Sequence, residues 1–325
     1  MNLTELYPRL EDLLARTEAS ISCVWGEGSG FSEEAARWML SGRGKRLRPS
    51  LLLLSAECAG GATESSVAMA AVTEVVHAAS LVHDDVVDDA ATRRGGRSAK
   101  AVWGNKLSVL LGDYLIARAL AMVPEADRGR YVMDLTRVAT RMCEGQMREL
   151  RAAGRVMEEG EYFEMARAKT GSLFRFCGEV GAQTAGGPEA WATALGEFGE
   201  RFGVAFQIAD DILDLMGTEG ESGKPEARDL AEGKVTLPLM AAAELGGEEV
   251  RAEIERIVRS GSATGEEVEW ARRAAESTGA IGYCWEQVRR QLGAAQEQLM
   301  VAPESGAKEA LMVATGRGFP MPVMA

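Results

Sequence analysis

The chain has no basic surplus: 36 Lys and Arg stand against 49 Asp and Glu, a formal net charge of −13. That excludes a general nucleic-acid binder, because nothing would neutralise a run of phosphates. A small anionic substrate is not excluded, since it needs only a local basic cluster. Cysteine is scarce. Cys23, Cys58, Cys143, Cys177 and Cys284 are an odd number with no C-x-x-C spacing, which argues against a disulfide framework or a zinc site and for buried thiols in a reducing compartment. The opening MNLTELYPRLEDLL lacks the basic-then-apolar pattern of a leader, and the longest leucine run is Leu51–Leu54. We therefore expect no signal peptide, no stretch long enough to span a membrane and a cytoplasmic protein. Linkers of disordered composition, a fixed-period repeat and the alternation of half-buried strands are also missing.

What is present is helical. Of 325 residues 46% are apolar, enough for a sizeable core. Alanine, leucine, glutamate and arginine dominate, and apolar residues recur at three and four steps. Breaks at Gly42–Gly44, Pro49, Gly60–Gly61, Gly95–Gly96, Pro124, Gly186–Pro188, Gly217–Pro225, Gly246–Gly247 and Gly261 cut the chain into roughly ten segments. The expectation is an all-α protein, a single domain over residues 1–325. Ser65 or Ser66 is expected to cap one helix through VAMAAVTEVVHAASLVHDD. A second helix is expected from Pro188 through FQIADDILDL to Gly217.

Both helices carry D-D-x-x-D near their C-terminal ends: Asp84, Asp85, Asp88 and Asp210, Asp211, Asp214. A helix C-terminus is already partly negative, and crowded carboxylates raise one another's pKa. Steps of four put Asp84 with Asp88, and Asp210 with Asp214, on one face. The arrangement makes sense if hard cations sit between the carboxylates; Mg²⁺ suits oxygen ligands and keeps phosphate oxygens in its shell. Positive charge accompanies them, much of it in or beside turns: Arg93 and Arg94 directly after the first set, Lys45, Arg46 and Arg48 in GKRLRP, Lys169 before Thr170, and Lys224 and Lys234. Arginine and lysine are the usual diphosphate partners. Gly44 and Gly95 would let backbone amides approach phosphate oxygens.

With GKRLRP, HDDVVDDAATRRG, KTGSLF and FQIADDILD in this order and spacing, the chain resembles the trans-isoprenyl (polyprenyl) diphosphate synthases, from GRGKRLRP to EGKVTLP. The resemblance implies the all-α fold of class I isoprenoid synthases with a deep central cavity, a homodimer and about three Mg²⁺ ions. It implies that an allylic diphosphate (farnesyl or geranyl diphosphate) ionises, is attacked by the double bond of isopentenyl diphosphate, and then loses a proton to the released diphosphate. By the same resemblance Asp84, Asp88 and Asp210 are metal ligands, with Asp85, Asp211 and Asp214 supporting them. Arg93, Lys169 and Lys234 bind the allylic diphosphate, and Lys224 stands near the leaving group. Gly44, Lys45, Arg46, His77 and Arg94 form the isopentenyl diphosphate pocket. Thr170 and Gln207 lie beside the developing cation. His77, two helical turns before Asp84 on the same face, is weighed between core packing and that pocket; His83 is given no role.

Two features depart from the family. Ala227 stands where a glycine is usual, so a positive φ there would strain the loop. The ending GRGFPMPVMA lacks the basic tail common among short-chain members. Product length in the family depends on bulk just before the first aspartate. Here Ala79 and Ser80 are small, and Thr73 lies further down. One turn, ~5.4 Å, is roughly one isoprene unit, so an open shaft favours a long all-trans product, C30–C50. HAASLVHDDVVDDAATRRG also resembles the heptaprenyl and octaprenyl members. A geranylgeranyl or farnesyl diphosphate synthase and a non-catalytic subunit of a heteromeric synthase stay open as alternatives; a terpene cyclase fits the second D-D-x-x-D less well.

Overall fold

The computed structural model describes residues 3–22, 30–40, 44–93, 96–217 and 227–319. Arg94, Gly95 and Lys224 lie outside them. The described chain is all-α apart from a short antiparallel pairing of β1 (Thr92–Arg93) with β2 (Gly96–Arg97). Two compact units divide it: Met1–Arg137 with Leu173–Gly199 and Gln296–Gly318, and Val138–Ser172 with Glu200–Ala295 and Phe319–Ala325.

In the first unit α1 (Leu3–Leu6), α2 (Arg9–Ser22), α3 (Phe31–Leu40), α4 (Leu47–Cys58), α5 (Glu64–Val87) and α6 (Ala99–Met122) follow one another. The leucine run Leu51–Leu54 is buried on every side, as expected of a helix apolar all round. Pro49 falls in the first turn of α4 rather than at a break, where its missing N–H costs nothing. The cap of α5 is not Ser65 or Ser66 but Thr63. Its hydroxyl accepts from the Ser66 N–H while the Ser66 side chain bonds back to the Thr63 N–H, a reciprocal box that satisfies two orphan donors. By length and composition α5 could cross a membrane, against the expectation that no stretch would, but 72% of its apolar window is buried inside the protein. It is a core helix, packed on α2, α4 and α6. A Cβ on Gly112 of α6 would fall 2.2 Å from the His83 ring, so that glycine is what lets α6 lie against α5. His83 Nε2 reaches the Val109 carbonyl at 3.2 Å, a packing role.

The long α7 (Arg128–Ala152) leads into the second unit, which continues with α8 (Glu159–Ala166) and a π-helical turn, Arg167–Gly171. From that turn α9 (Ser172–Thr184) runs on, followed by α10 (Glu189–Met216), the helix expected between Pro188 and Gly217. After α10 come α11 (Arg228–Ala231), α12 (Leu237–Leu245), α13 (Gly247–Ser260), α14 (Gly265–Ser277) and α15 (Ala280–Leu299), and α16 (Gly306–Arg317) closes the chain. The apolar α12 packs on α13 and α14 as the second unit's core helix.

Candidate active site

In the first unit α5 delivers its acids over its last turn. Asp88 is the C-cap, its N–H on the Asp84 carbonyl at 2.8 Å, and the Ala90 N–H closes on the Asp85 carbonyl at 3.0 Å. Asp89 takes the left-handed turn (φ 51) and pairs with Lys100; aspartate tolerates that region better than most residues. Asp84 and Asp88 are half-buried, while Asp85 is fully buried. Arg93 Nε donates to Asp85 Oδ1 at 2.5 Å. Asp85 Oδ2 is buried with no hydrogen-bond partner among the described residues, an orphaned oxygen at the foot of the acidic set.

The isopentenyl diphosphate residues are unequally placed. Lys45 is exposed and Gly44 half-buried. Arg46 is left-handed (φ 47) and heavily committed. Its Nε donates to Glu18 at 2.6 Å, its guanidinium also pairs with the buried Glu74, and Nη2 reaches the Leu40 carbonyl at 3.0 Å. Burial pulls its pKa down, but Glu74 and Glu18 raise it further, so the net shift is upward. Arg48, named in the sequence but given no role, lies 4.6 Å over the Phe174 ring. Along α5, His77 and Ser80 are half-buried, and the Ser80 hydroxyl donates to the His77 carbonyl at 2.9 Å. Ala79 and Thr73 are fully buried. Of the three chain-length positions only Ser80 is partly exposed.

In the second unit the sequence-predicted residues form one connected set. Thr170 Oγ1 donates to Gln207 Oε1 at 2.7 Å, Gln207 Nε2 donates to Asp211 Oδ1 at 2.8 Å, and the Tyr162 hydroxyl donates to Asp211 Oδ2 at 2.6 Å. Burial first, then the nearby Asp229 charge, holds the Asp211 carboxyl well above the usual carboxylate range, against the two hydrogen bonds. Burial followed by Asp211 raises the Tyr162 phenol in turn. Asp210 is exposed, and Asp214 Oδ2 accepts the Asp229 N–H at 3.1 Å. Asp229 is pushed up to about 7 by burial and then by Asp214. Lys169 and Lys234 reach a common carboxylate, Glu149. The end of α10 is closed by Arg272, which donates to the carbonyls of Leu215 at 2.7 Å and Gly217 at 2.8 Å, a cation where helix carbonyls and acids gather.

Ala227 is left-handed, φ 44 and ψ 50, and fully buried. The strain anticipated from its replacing a glycine is present, and α11 begins directly after it. Tyr162, Glu149 and Asp229 were given no role by sequence reasoning. A single tyrosine or glutamate on an amphipathic helix carries no spacing signal, and only the fold brings these three to the motifs.

Among the described residues no three His, Cys, Asp or Glu side chains converge as a ready-made metal cage. The donor set nevertheless fits Mg²⁺: it is all oxygen, includes the unsatisfied Asp85 Oδ2, and this ion draws much of its shell from water and substrate phosphates rather than from a full protein cage.

Comparison with known proteins decides the class. The Polyprenyl synthetase family profile matches residues 31–275. The chain belongs to the polyprenyl synthetase family. As a member it is a prenyltransferase of isoprenoid biosynthesis, a trans-polyprenyl diphosphate synthase. It is 38% identical over 276 residues to heptaprenyl diphosphate synthase component 2 of Geobacillus stearothermophilus, covering 85% of this chain and 83% of that one. It is 36% identical over 316 residues to a short chain isoprenyl diphosphate synthase of Methanothermobacter thermautotrophicus, covering 96% and 95%. Among solved structures, the Caulobacter crescentus polyprenyl synthase complexed with calcium and isoprenyl diphosphate superposes with a TM-score of 0.91 at 31% identity, covering 96% of each chain. That family's members share the all-α fold found here.

Proposed function

We propose that the protein condenses isopentenyl diphosphate head-to-tail with an allylic diphosphate, farnesyl or geranyl diphosphate, to give a long-chain all-trans polyprenyl diphosphate of C30–C50. The observation that carries the reaction is the connected set in the second unit. Two lysine ammonium groups, a hydroxyl–carboxamide pair and a D-D-x-x-D stand on neighbouring elements. Lys169, Lys234 and Arg93 bind the allylic diphosphate and stabilise negative charge as its C–O bond breaks. Lys224, outside the described residues, acts beside the leaving group. The Thr170 hydroxyl and the Gln207 carboxamide, fixed by their mutual hydrogen bond, direct their dipoles at the allylic cation. Gly44, Lys45, Arg46, His77 and Arg94 hold isopentenyl diphosphate. Its double bond attacks the cation, and the released diphosphate accepts the proton. Asp84, Asp88 and Asp210, with Asp85, Asp211 and Asp214 behind them, would hold Mg²⁺, which would supply charge neutralisation for the leaving diphosphate. We further propose a homodimer; the exposed Leu107, Val109 and Leu110 of α6 are an apolar face suited to a second copy.

One observation favours a shorter product. Thr73 is sealed in the core, and α5 is buried throughout Met69–Val76, so on the stretch leading to the acids the first partly exposed side chain is His77. From Asp84 that is two turns, roughly 10 Å. A long chain must then leave α5 for another helix.

The test is a product-length assay with Mg²⁺, farnesyl diphosphate and excess labelled isopentenyl diphosphate. A dominant product of C30 or longer supports the proposal. A C20 stop from farnesyl diphosphate, or a C15 stop when geranyl diphosphate is the primer, keeps the reaction and makes the sealed Thr73 the floor. Absence of Mg²⁺-dependent elongation would leave the reading of a non-catalytic subunit.

A further inference from the structure

Lys169 comes from the π-turn before α9, and Lys234 from the segment after α11. One side chain on α7 reaches both. Glu149 Oε2 accepts from Lys169 Nζ at 2.7 Å and from Gln146 Nε2 at 3.0 Å, and it stands 3.9 Å from Lys234 Nζ. The Glu149 side chain is 12% exposed and that of Lys234 is 11% exposed, so the three groups meet where water screens them little. Lys234 is steadied from its other side by Glu232 at 2.8 Å. One turn before Glu149, Gly145 touches the backbone of Lys169: a Cβ there would fall 2.5 Å from the Lys169 nitrogen and 2.9 Å from its Cα. The same helix therefore fixes Lys169 at its main chain and at its ammonium group.

We propose that Glu149 is a positioning residue for the allylic diphosphate. Two ammonium groups repel each other, and long lysine side chains lose rotamer freedom when held. A shared carboxylate gathers both in advance, so that cost is met during folding rather than on binding. The arriving diphosphate oxygens take over the lysine protons, and Glu149 keeps the Gln146 amide. A glutamine at 149 could still accept one hydrogen bond, but it lacks the charge that holds two cations together. This inference rests on the prenyl-transfer reading above.

The test uses the full chain with Glu149→Gln and Glu149→Asp. Each substrate is varied against saturating levels of the other, and binding of inorganic diphosphate without added magnesium is followed by calorimetry. We expect Glu149→Gln to raise the KM for the allylic diphosphate about tenfold, to weaken inorganic diphosphate by a similar factor, and to move the KM for isopentenyl diphosphate less than about threefold. Glu149→Asp, one methylene shorter with its charge intact, should recover most of the loss. If the glutamine variant does not fold, Glu149→Ser, which also removes the charge, is read in its place with the same expectation of a KM shift confined to the allylic substrate. Unchanged allylic KM and diphosphate affinity would overturn the inference, as would equal shifts in both KM values. The two readings fail separately. A wild-type protein that does not elongate, yet binds inorganic diphosphate in a Glu149-dependent way, loses the prenyl-transfer reading and keeps the clamp. Elongation indifferent to Glu149 does the reverse.

Discussion

The two D-D-x-x-D sets have the same spacing and opposite surroundings. In the first, the middle acid Asp85 is fully buried against a cation, Arg93 Nε at 2.5 Å, with its second oxygen unpartnered among the described residues. In the second, the middle acid Asp211 is also buried but among the described residues meets neutral donors alone, the Tyr162 hydroxyl and the Gln207 amide. Burial and Asp229 then lift its pKa. One motif has thus been settled by charge pairing in one unit and by hydrogen bonding in the other. Repetition of a motif fixes which side chains face one way, and the neighbours decide what each one pairs with.

The largest expected effect comes from removing the acids that both readings place foremost. Asp84→Ala with Asp88→Ala should lower turnover ~10³-fold or more while the melting temperature stays near wild type, because both side chains are only half-buried. Normal turnover in that double variant would remove the metal role from the first set. Next come the middle acids. Arg93→Leu strands a buried carboxylate and should cost about 3 kcal/mol, the low end for a broken buried pair because Arg93 is itself 22% exposed. Tyr162→Phe removes one neutral donor from Asp211 and should cost about 1–3 kcal/mol. Urea unfolding orders the two; a larger loss from Tyr162→Phe would break the contrast between charge pairing and hydrogen bonding.

The fold was legible because its signals are local. Periodicity and the breaks at Gly60–Gly61, Pro124 and Pro188 placed the helices, and α10 begins and ends beside the residues expected to bound it. Capping was legible only to within a few residues, since Thr63, Ser65 and Ser66 all carry a hydroxyl and only packing selects among them. The site was legible where a motif names its residues, as with Thr170, Gln207 and Asp211. What stayed hidden is long-range pairing. No pattern connects Arg46 to Glu18 and Glu74, each 28 residues away. Nor does one connect Lys169 to Glu149 across 20 residues or Tyr162 to Asp211 across 49. Thr73 was hidden for another reason: helix geometry gives the face a residue shares but not how far along that face open space extends.

A smaller effect separates the second set from the first through pH. Asp229 has its pKa raised from 3.8 to about 7 by burial and by Asp214, so the folded protein holds a proton that the unfolded chain has released. Between those values the native state binds more protons, and stability must fall as pH rises from about 4 through about 7, levelling above. Urea midpoints of metal-free protein at pH 5.5 and pH 8, about 1 unit or more either side of that upper value, should decline with pH, and Asp229→Asn should lessen the decline. A rise over the same interval would show that the neighbouring lysines rather than burial govern Asp229.

The smallest effect lies at Ala227, which sits on the second set's side of the comparison. Its φ of 44 costs an alanine what it would not cost a glycine. The fold keeps the turn because it aims two backbone groups at Asp214: the Ala227 N–H meets the Asp214 carbonyl at 3.2 Å, and the Asp229 N–H meets Oδ2 at 3.1 Å. Ala227→Gly relieves the strain and adds freedom to the unfolded chain, so the net gain should be no more than about 1 kcal/mol. If stability rises while turnover is unchanged, the strain serves only to make the turn. If turnover falls as stability rises, the stiff alanine is what keeps Asp229 and Asp214 together, and the acidic set of the second unit depends on backbone strain where that of the first depends on an ion pair.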